Sequence, residues 1–113
     1  MRAHRLKTYL WVQIQQWQCK RHNLPLYVTS KGDPNAGAVI MKLNLMDGRC
    51  RVYTQIRDAE GRSAWQSRSA DAEPILETEA DTYITKQLDF DPDLWVIEIE
   101  DPMSQFELDG EVV

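Results

Sequence analysis

AVIMKLNLMDGRCRVYTQIR, residues 38–57, is the stretch that decides the fold of this 113-residue chain. Two alternating runs, Ala38 to Leu45 and Arg49 to Arg57, flank Asp47-Gly48. Asp-Gly between alternating runs signals a two-residue hairpin loop of type I′. With Asp47 and Gly48 as that loop, Val39 faces Ile56, Met41 faces Thr54, Leu43 faces Val52 and Leu45 faces Cys50. These residues form one apolar side. The other side carries Ile40, Lys42, Asn44, Arg51, Tyr53 and Gln55. Side chains alternate along a strand, so a one-residue slip would undo this sorting.

Upstream of the hairpin, Lys31-Gly32-Asp33-Pro34-Asn35-Ala36-Gly37 reads as a loop. A short extended segment, Leu26 to Thr29, precedes it. Before that, Leu6, Leu10, Ile14 and Trp17 recur at helical spacing and predict a helix from about Arg5 to Asn23 with this stripe toward the core. Downstream, Asp58-Ala59-Glu60-Gly61 reads as a turn and Arg62 to Arg68 as a strand around Trp65. Thr78-Glu79-Ala80-Asp81 resembles a capping box that opens a helix over about 79–88, with Ala80, Tyr83, Ile84 and Leu88 on one face. Asp89 to Asp93 breaks that helix. Leu94 to Glu100 is a strand whose apolar face is Trp95, Ile97 and Ile99. Gln105 to Leu108 returns as a short final strand.

This order, α-β-β-β-β-α-β, predicts an α+β fold: an antiparallel sheet of about four to five strands with two helices on one face. The length fits one domain over 1–113, with an ordered core of about 5–108.

Charge is unevenly distributed. Residues 1–57 hold ten Lys/Arg and two acids, giving +8, and residues 58–113 hold three and sixteen, giving −13; the sum is the chain's −5. Such asymmetry marks either a contact surface or internal neutralisation within one sheet. Cys19 and Cys50 are too few for a disulfide framework and lack metal-ligand spacing. They read as packed, reduced thiols of a cytoplasmic protein. Arg2, Arg5 and Lys7 precede a brief apolar run, but glutamines end it, so neither a secretory signal nor a membrane span is expected.

Motifs for chemistry fail on specific residues. Asp89, Asp91, Asp93 and Glu100 occupy acidic positions of a calcium loop, yet Leu94 stands where glycine is required. They remain weak metal candidates, and with Glu98 they are the basis of a carboxylate-enzyme alternative. The hairpin's Ile40-Met41-Lys42 and Gln55-Ile56-Arg57 lack the acid of a metal-dependent nuclease. His4 and His22 stand apart, and the Gly32–Gly37 loop has no Lys-Ser/Thr ending. No catalytic residue and no cofactor is expected. The best binding candidates are Lys42, Asn44, Arg49, Arg51 and Tyr53, with Arg57 at their edge, as a basic hairpin face able to hold a nucleic-acid strand. The main expectation is a non-catalytic protein-binding or adaptor module, with Trp11 and Trp65 as interface candidates.

Three segments carry a family resemblance: Arg5-Leu6-Lys7 with Trp11-Val12; Lys31 to Pro34 with Ala36 to Val39; and Asp91 to Asp101. Over about residues 5–108 the chain resembles domain of unknown function family 1491, small alphaproteobacterial proteins. The resemblance implies a cytosolic bacterial protein and supplies no activity, cofactor or catalytic residue. Pro102-Met103 departs from the polar turn expected after Asp101.

Overall fold

The computed structural model describes residues 6–57, 59–60 and 62–113. Arg2, His4, Arg5, Asp58 and Gly61 lie outside the described residues. In chain order the elements are α1 (Thr8–Arg21), β1 (Leu26–Ser30), β2 (Val39–Asn44), β3 (Arg49–Arg57), β4 (Ser63–Ser67), β5 (Ile75–Leu76), α2 (Glu77–Phe90), β6 (Trp95–Glu100) and β7 (Glu111–Val112). A single 3₁₀ turn, Ala70–Ala72, joins β4 to β5.

The α+β class holds, but the sheet is mixed and has seven strands. Its order is β1-β6-β2-β3-β4-β7, with β5 paired to β3 beside this path. Two neighbouring pairs, β2 with β6 and β4 with β7, are parallel. The antiparallel meander of four to five strands is therefore corrected. Helix α2 carries the chain back so that β6 enters the sheet between β1 and β2, parallel to β2. The expected strand at 105–108 is irregular; the last strand is β7, further along, on the edge of β4.

The hairpin register differs by one residue from the expected one. Ile40 pairs with Thr54, Met41 with Tyr53, Lys42 with Val52, Leu43 with Arg51 and Asn44 with Cys50. The loop has three residues, Met46-Asp47-Gly48, closed by Leu45 N–H donating to the Arg49 carbonyl at 3.0 Å. Gly48 takes φ +86° and Met46 φ +63°. Two side chains brace this loop: Asn44 Oδ1 accepts from Met46 N at 2.8 Å, and Asp47 Oδ1 accepts from Arg49 N at 3.1 Å. These local bonds offset the preference of Asp-Gly for the shorter loop.

Sliding by one residue re-sorts β3. Val39, Met41, Leu43 and Tyr53 join Trp95, Ile97 and Ile99 in a cluster with Trp11, Val12 and Cys19 of α1. Ile40, Cys50, Val52 and Val96 join Ala80 and Ile84 of α2. The helices thus cover opposite faces, not one. Central β2 is buried on both faces and β6 nearly so, because both are covered on each side, with Lys42, Asn44 and Glu98 among their polar residues.

Helix α1 is rotated from its expected orientation. Its buried residues are Thr8, Trp11, Val12, Gln15 and Cys19. Contacts at its start fix the rotation: Thr8 Oγ1 donates to the Gly37 carbonyl at 2.7 Å, and Tyr9 N–H donates to the Pro34 carbonyl at 2.9 Å. Trp11 then packs on Trp65, ring centroids 5.8 Å apart, and its Nε1–H donates to Asp109 Oδ2 at 2.6 Å. Helix α2 begins two residues earlier than expected. Leu76 is its N-cap and no side chain caps it; Glu77 N–H donates instead to the Gly48 carbonyl at 2.9 Å.

The loop at 31–37 seats α1 on β6. Asp33 N–H donates to the Asp93 carbonyl at 2.9 Å, and Trp95 Nε1–H donates to the Asp33 carbonyl at 2.7 Å. A Cβ at position 32 would overlap the Asp93 carbonyl and lie 2.7 Å from its carbon, so the close approach requires Gly32.

Candidate docking surface

The hairpin register divides the basic set. Lys42 and Asn44 face α2, while Arg51 and Tyr53 share the α1 face of the sheet. Arg49 lies at the strand end, paired with Asp47 at 2.7 Å and exposed. The five candidates do not form one face.

Lys42 is 5% exposed and sits inside a carboxylate cluster. Its Nζ lies 2.9 Å from Glu77, 2.7 Å from Asp81 and 3.5 Å from Glu98. Asn44 Nδ2 donates to Glu98 Oε2 at 3.0 Å and to Glu77 Oε2 at 3.3 Å. Burial favours the neutral amine, but hydrogen bonds to Asp81 and Glu77 and the charge of Glu98 prevail and hold the ammonium above its usual range. A lysine locked as a cation is no nucleophile or base at neutral pH. Its role is to tie the first turn of α2, where acids also suit the helix dipole, to the sheet. It also joins the basic half of the sequence to the acidic half.

The remaining candidates are dispersed. Asp89, Asp91 and Asp93 are exposed, and Asp91 Oδ1 accepts from Asp93 N–H at 3.0 Å as a turn former. Glu100 lies at the far end of β6 from them. Among the described residues no group of three or more His, Cys, Asp or Glu is placed to hold a metal ion. Cys19 and Cys50 are free and buried. Burial pushes both thiols up to about 11, with Asp101 adding to the effect at Cys19, so neither is an activated nucleophile. His22 caps the C-terminus of α1 through its backbone.

Sequence reasoning missed the outer face of α1. Leu6, Leu10, Ile14 and Trp17, the stripe expected in the core, are all exposed, Trp17 at 60% and Ile14 at 41%. Tyr9 is exposed beside them. Lys7, Lys20 and Arg21 flank the row and are exposed. Arg21 lies over the Trp17 ring, 4.9 Å from its centroid. Helix α1 contains no acidic residue, and the first acid of the chain is Asp33. The surface is therefore apolar along its crest and cationic at both ends. A signal was present: α1 carries a second stripe, Trp11, Val12 and Cys19, interrupted by Gln15. Two apolar stripes on one surface helix leave one uncovered.

Two segments singled out by motif, 31–37 and 91–95, meet and lock α1 in that orientation. That contact leaves the row Leu10, Ile14 and Trp17 facing outward. The family model for "Protein of unknown function (DUF1491)" matches residues 6–109, and the chain belongs to this family. The crystal structure of a family member from Caulobacter crescentus CB15 is similar at a TM-score of 0.84 and 28% identity, covering 96% of this chain and 100% of that one. The NMR structure of a family protein from the same organism gives 0.82 and 28%, covering 98% and 99%. A solution structure of a protein from A. tumefaciens gives 0.72 and 25%, covering 93% and 90%. Comparison with curated proteins returned no match. No helix among the described residues is long and apolar enough to cross a membrane.

Proposed function

We propose that this chain is a non-catalytic protein-binding module of a bacterial cytosol, docking a partner on the outer face of α1. The observation that carries the reading is the exposed row Leu10, Ile14 and Trp17, with Leu6 just ahead of the helix, on an α1 whose opposite face already fills the core. Apolar side chains aligned at helical spacing suit a helix-in-groove or helix-on-helix contact. A tryptophan with an arginine stacked on it is the pairing enriched in binding hot spots. The flanking Lys7, Lys20 and Arg21 favour a partner segment bearing acids on either side of an apolar row. An antiparallel pairing of two α1 helices would set Lys7 against Lys20 and Arg21 of the other copy, which weighs against self-association. Two buried free thiols are in keeping with a reducing compartment.

Affinity capture from native bacterial lysate tests this, comparing the wild-type chain with Ile14→Ser/Trp17→Ala. The reading expects discrete proteins that the variant loses and that salt weakens. Recovery of the same proteins by both baits, or of none by the wild type, contradicts it.

A further inference from the structure

The α1 face of the sheet holds a second feature, independent of that row. A cavity of about 210 Å³, open to solvent on one side, lies between the β2–β3 hairpin and the segment after β6. Leu43, Leu45 and Phe106 supply its apolar walls, and Arg51, Tyr53 and Ser104 its polar ones. Asp101 folds the covering segment. Its two carboxylate oxygens accept from Gln105 N at 2.7 Å and Phe106 N at 2.9 Å, and its carbonyl accepts from Ser104 N at 3.2 Å.

Arg51 enters this cavity and meets no counterion among the described residues. Nε donates to the Ala72 carbonyl at 3.0 Å and Nη1 to Ser104 Oγ at 3.1 Å, both neutral acceptors. Among the described residues no carboxylate lies within ion-pair distance of it. A guanidinium has five N–H donors, so most remain for a ligand. The Tyr53 hydroxyl, on the same wall, has no protein partner among the described residues. A positioned guanidinium and a free hydroxyl over an apolar floor recognise a carboxylate with a short hydrocarbon body. Asp101 also lines the cavity, and its charge disfavours a dianion such as phosphate. The space of about 210 Å³, open on one side, fits a ligand of about seven non-hydrogen atoms at roughly 30 Å³ per water-sized group.

The geometry points to a binding site for small aliphatic monocarboxylates, with Arg51 holding the carboxylate, Tyr53 donating a second hydrogen bond, and Leu43, Leu45 and Phe106 enclosing the chain. Isovalerate matches this size and serves as the probe. Amide-resolved NMR titration of the full chain is the test, with 3-methylbutanol and inorganic phosphate as comparison ligands. Isovalerate is expected to give saturable shifts confined to Arg51, Tyr53 and 101–106, with a Kd of about millimolar order for so small a ligand. The alcohol is expected to bind about tenfold or more weakly, and phosphate no better than the alcohol. Arg51→Gln should weaken isovalerate by about tenfold or more, and Tyr53→Phe, which keeps the ring, by a few-fold. Leu45→Phe, which fills the cavity and spares the charge, should abolish binding and covers the case in which Arg51→Gln fails to fold. Unsaturable or scattered shifts, equal binding of the alcohol, or an affinity unmoved by Leu45→Phe and Tyr53→Phe would overturn the assignment.

Discussion

Replacing Lys42 with methionine removes one cation and keeps the aliphatic stem. Three carboxylates then lose their common partner: Glu77 at 39% side-chain exposure, Asp81 at 58% and Glu98 at 20%. Breaking a buried pair by removing one member costs about 3–5 kcal/mol. Glu77 and Asp81 can rehydrate where they stand, so most of that loss falls on Glu98, left with Asn44 alone. The expected destabilisation is about 2–3 kcal/mol. With a urea m-value of about 1–3 kcal/mol/M, the midpoint falls by on the order of 1–2 M. Tryptophan fluorescence in urea reads it, because Trp65 and Trp95 are buried. The pH dependence has a definite sign. The folded-state pKa of Lys42 is raised, so its stabilisation is fully present below the ordinary lysine value of about 10.4 and lost as pH rises through the higher folded value. The difference between wild type and variant is therefore flat from neutral pH to about 10 and narrows above. Adding Glu98→Gln to the variant should restore about 1 kcal/mol. A midpoint shift below about 0.3 M at pH 7 would refute the assignment of Lys42 as the tie between α2 and the sheet.

Helix rotation makes the next prediction: Leu10→Ser with Ile14→Ser should change stability by no more than about 0.5 kcal/mol per site, while Trp11→Ala costs about 3–5 kcal/mol by chemical denaturation. The reverse order would restore the orientation expected from periodicity. Gly32→Ala should cost about 3 kcal/mol because its Cβ meets the Asp93 backbone, whereas Gly48→Ala, with open space but φ +86°, should cost about 1 kcal/mol. Cys19 and Cys50 have folded pKa values raised to about 11 by burial. Their contribution is present below the unfolded thiol pKa of about 8.5 and lost as pH rises from there to about 11, so Cys19→Ala/Cys50→Ala should flatten the alkaline decline in stability. Ellman's reagent should label the native chain only at the rate of its opening.

The apolar face of β6 and the inner face of α2 were legible because Trp95, Ile97, Ile99, Ala80 and Ile84 follow one period each and pack where that period points. The hairpin was legible as a hairpin. Its register was not, because Asp47-Gly48 fits a two-residue loop and the longer loop depends on Asn44 reaching Met46. Every residue of β2 is buried, so its alternation carried no information about which face was core. The rotation of α1 is set by hydrogen bonds from Thr8 and Tyr9 to a loop more than twenty residues away, which no local pattern encodes. The parallel entry of β6 beside β2 is likewise a pairing of segments more than fifty residues apart, which no local pattern encodes. The candidate site followed from these errors: a misplaced stripe hid the exposed apolar row of α1, and a register slip assembled a basic face that the fold divides.

The central claim is that the outer row of α1 contacts another protein. Site-specific photocrosslinking inside the native bacterium tests it directly, with the photoreactive side chain at position 14 and, as control, at position 79 on the exposed side of α2. The account predicts a discrete protein adduct from position 14 that Trp17→Ala removes and that position 79 does not form. The same adducts from both positions, or none from position 14, would contradict it.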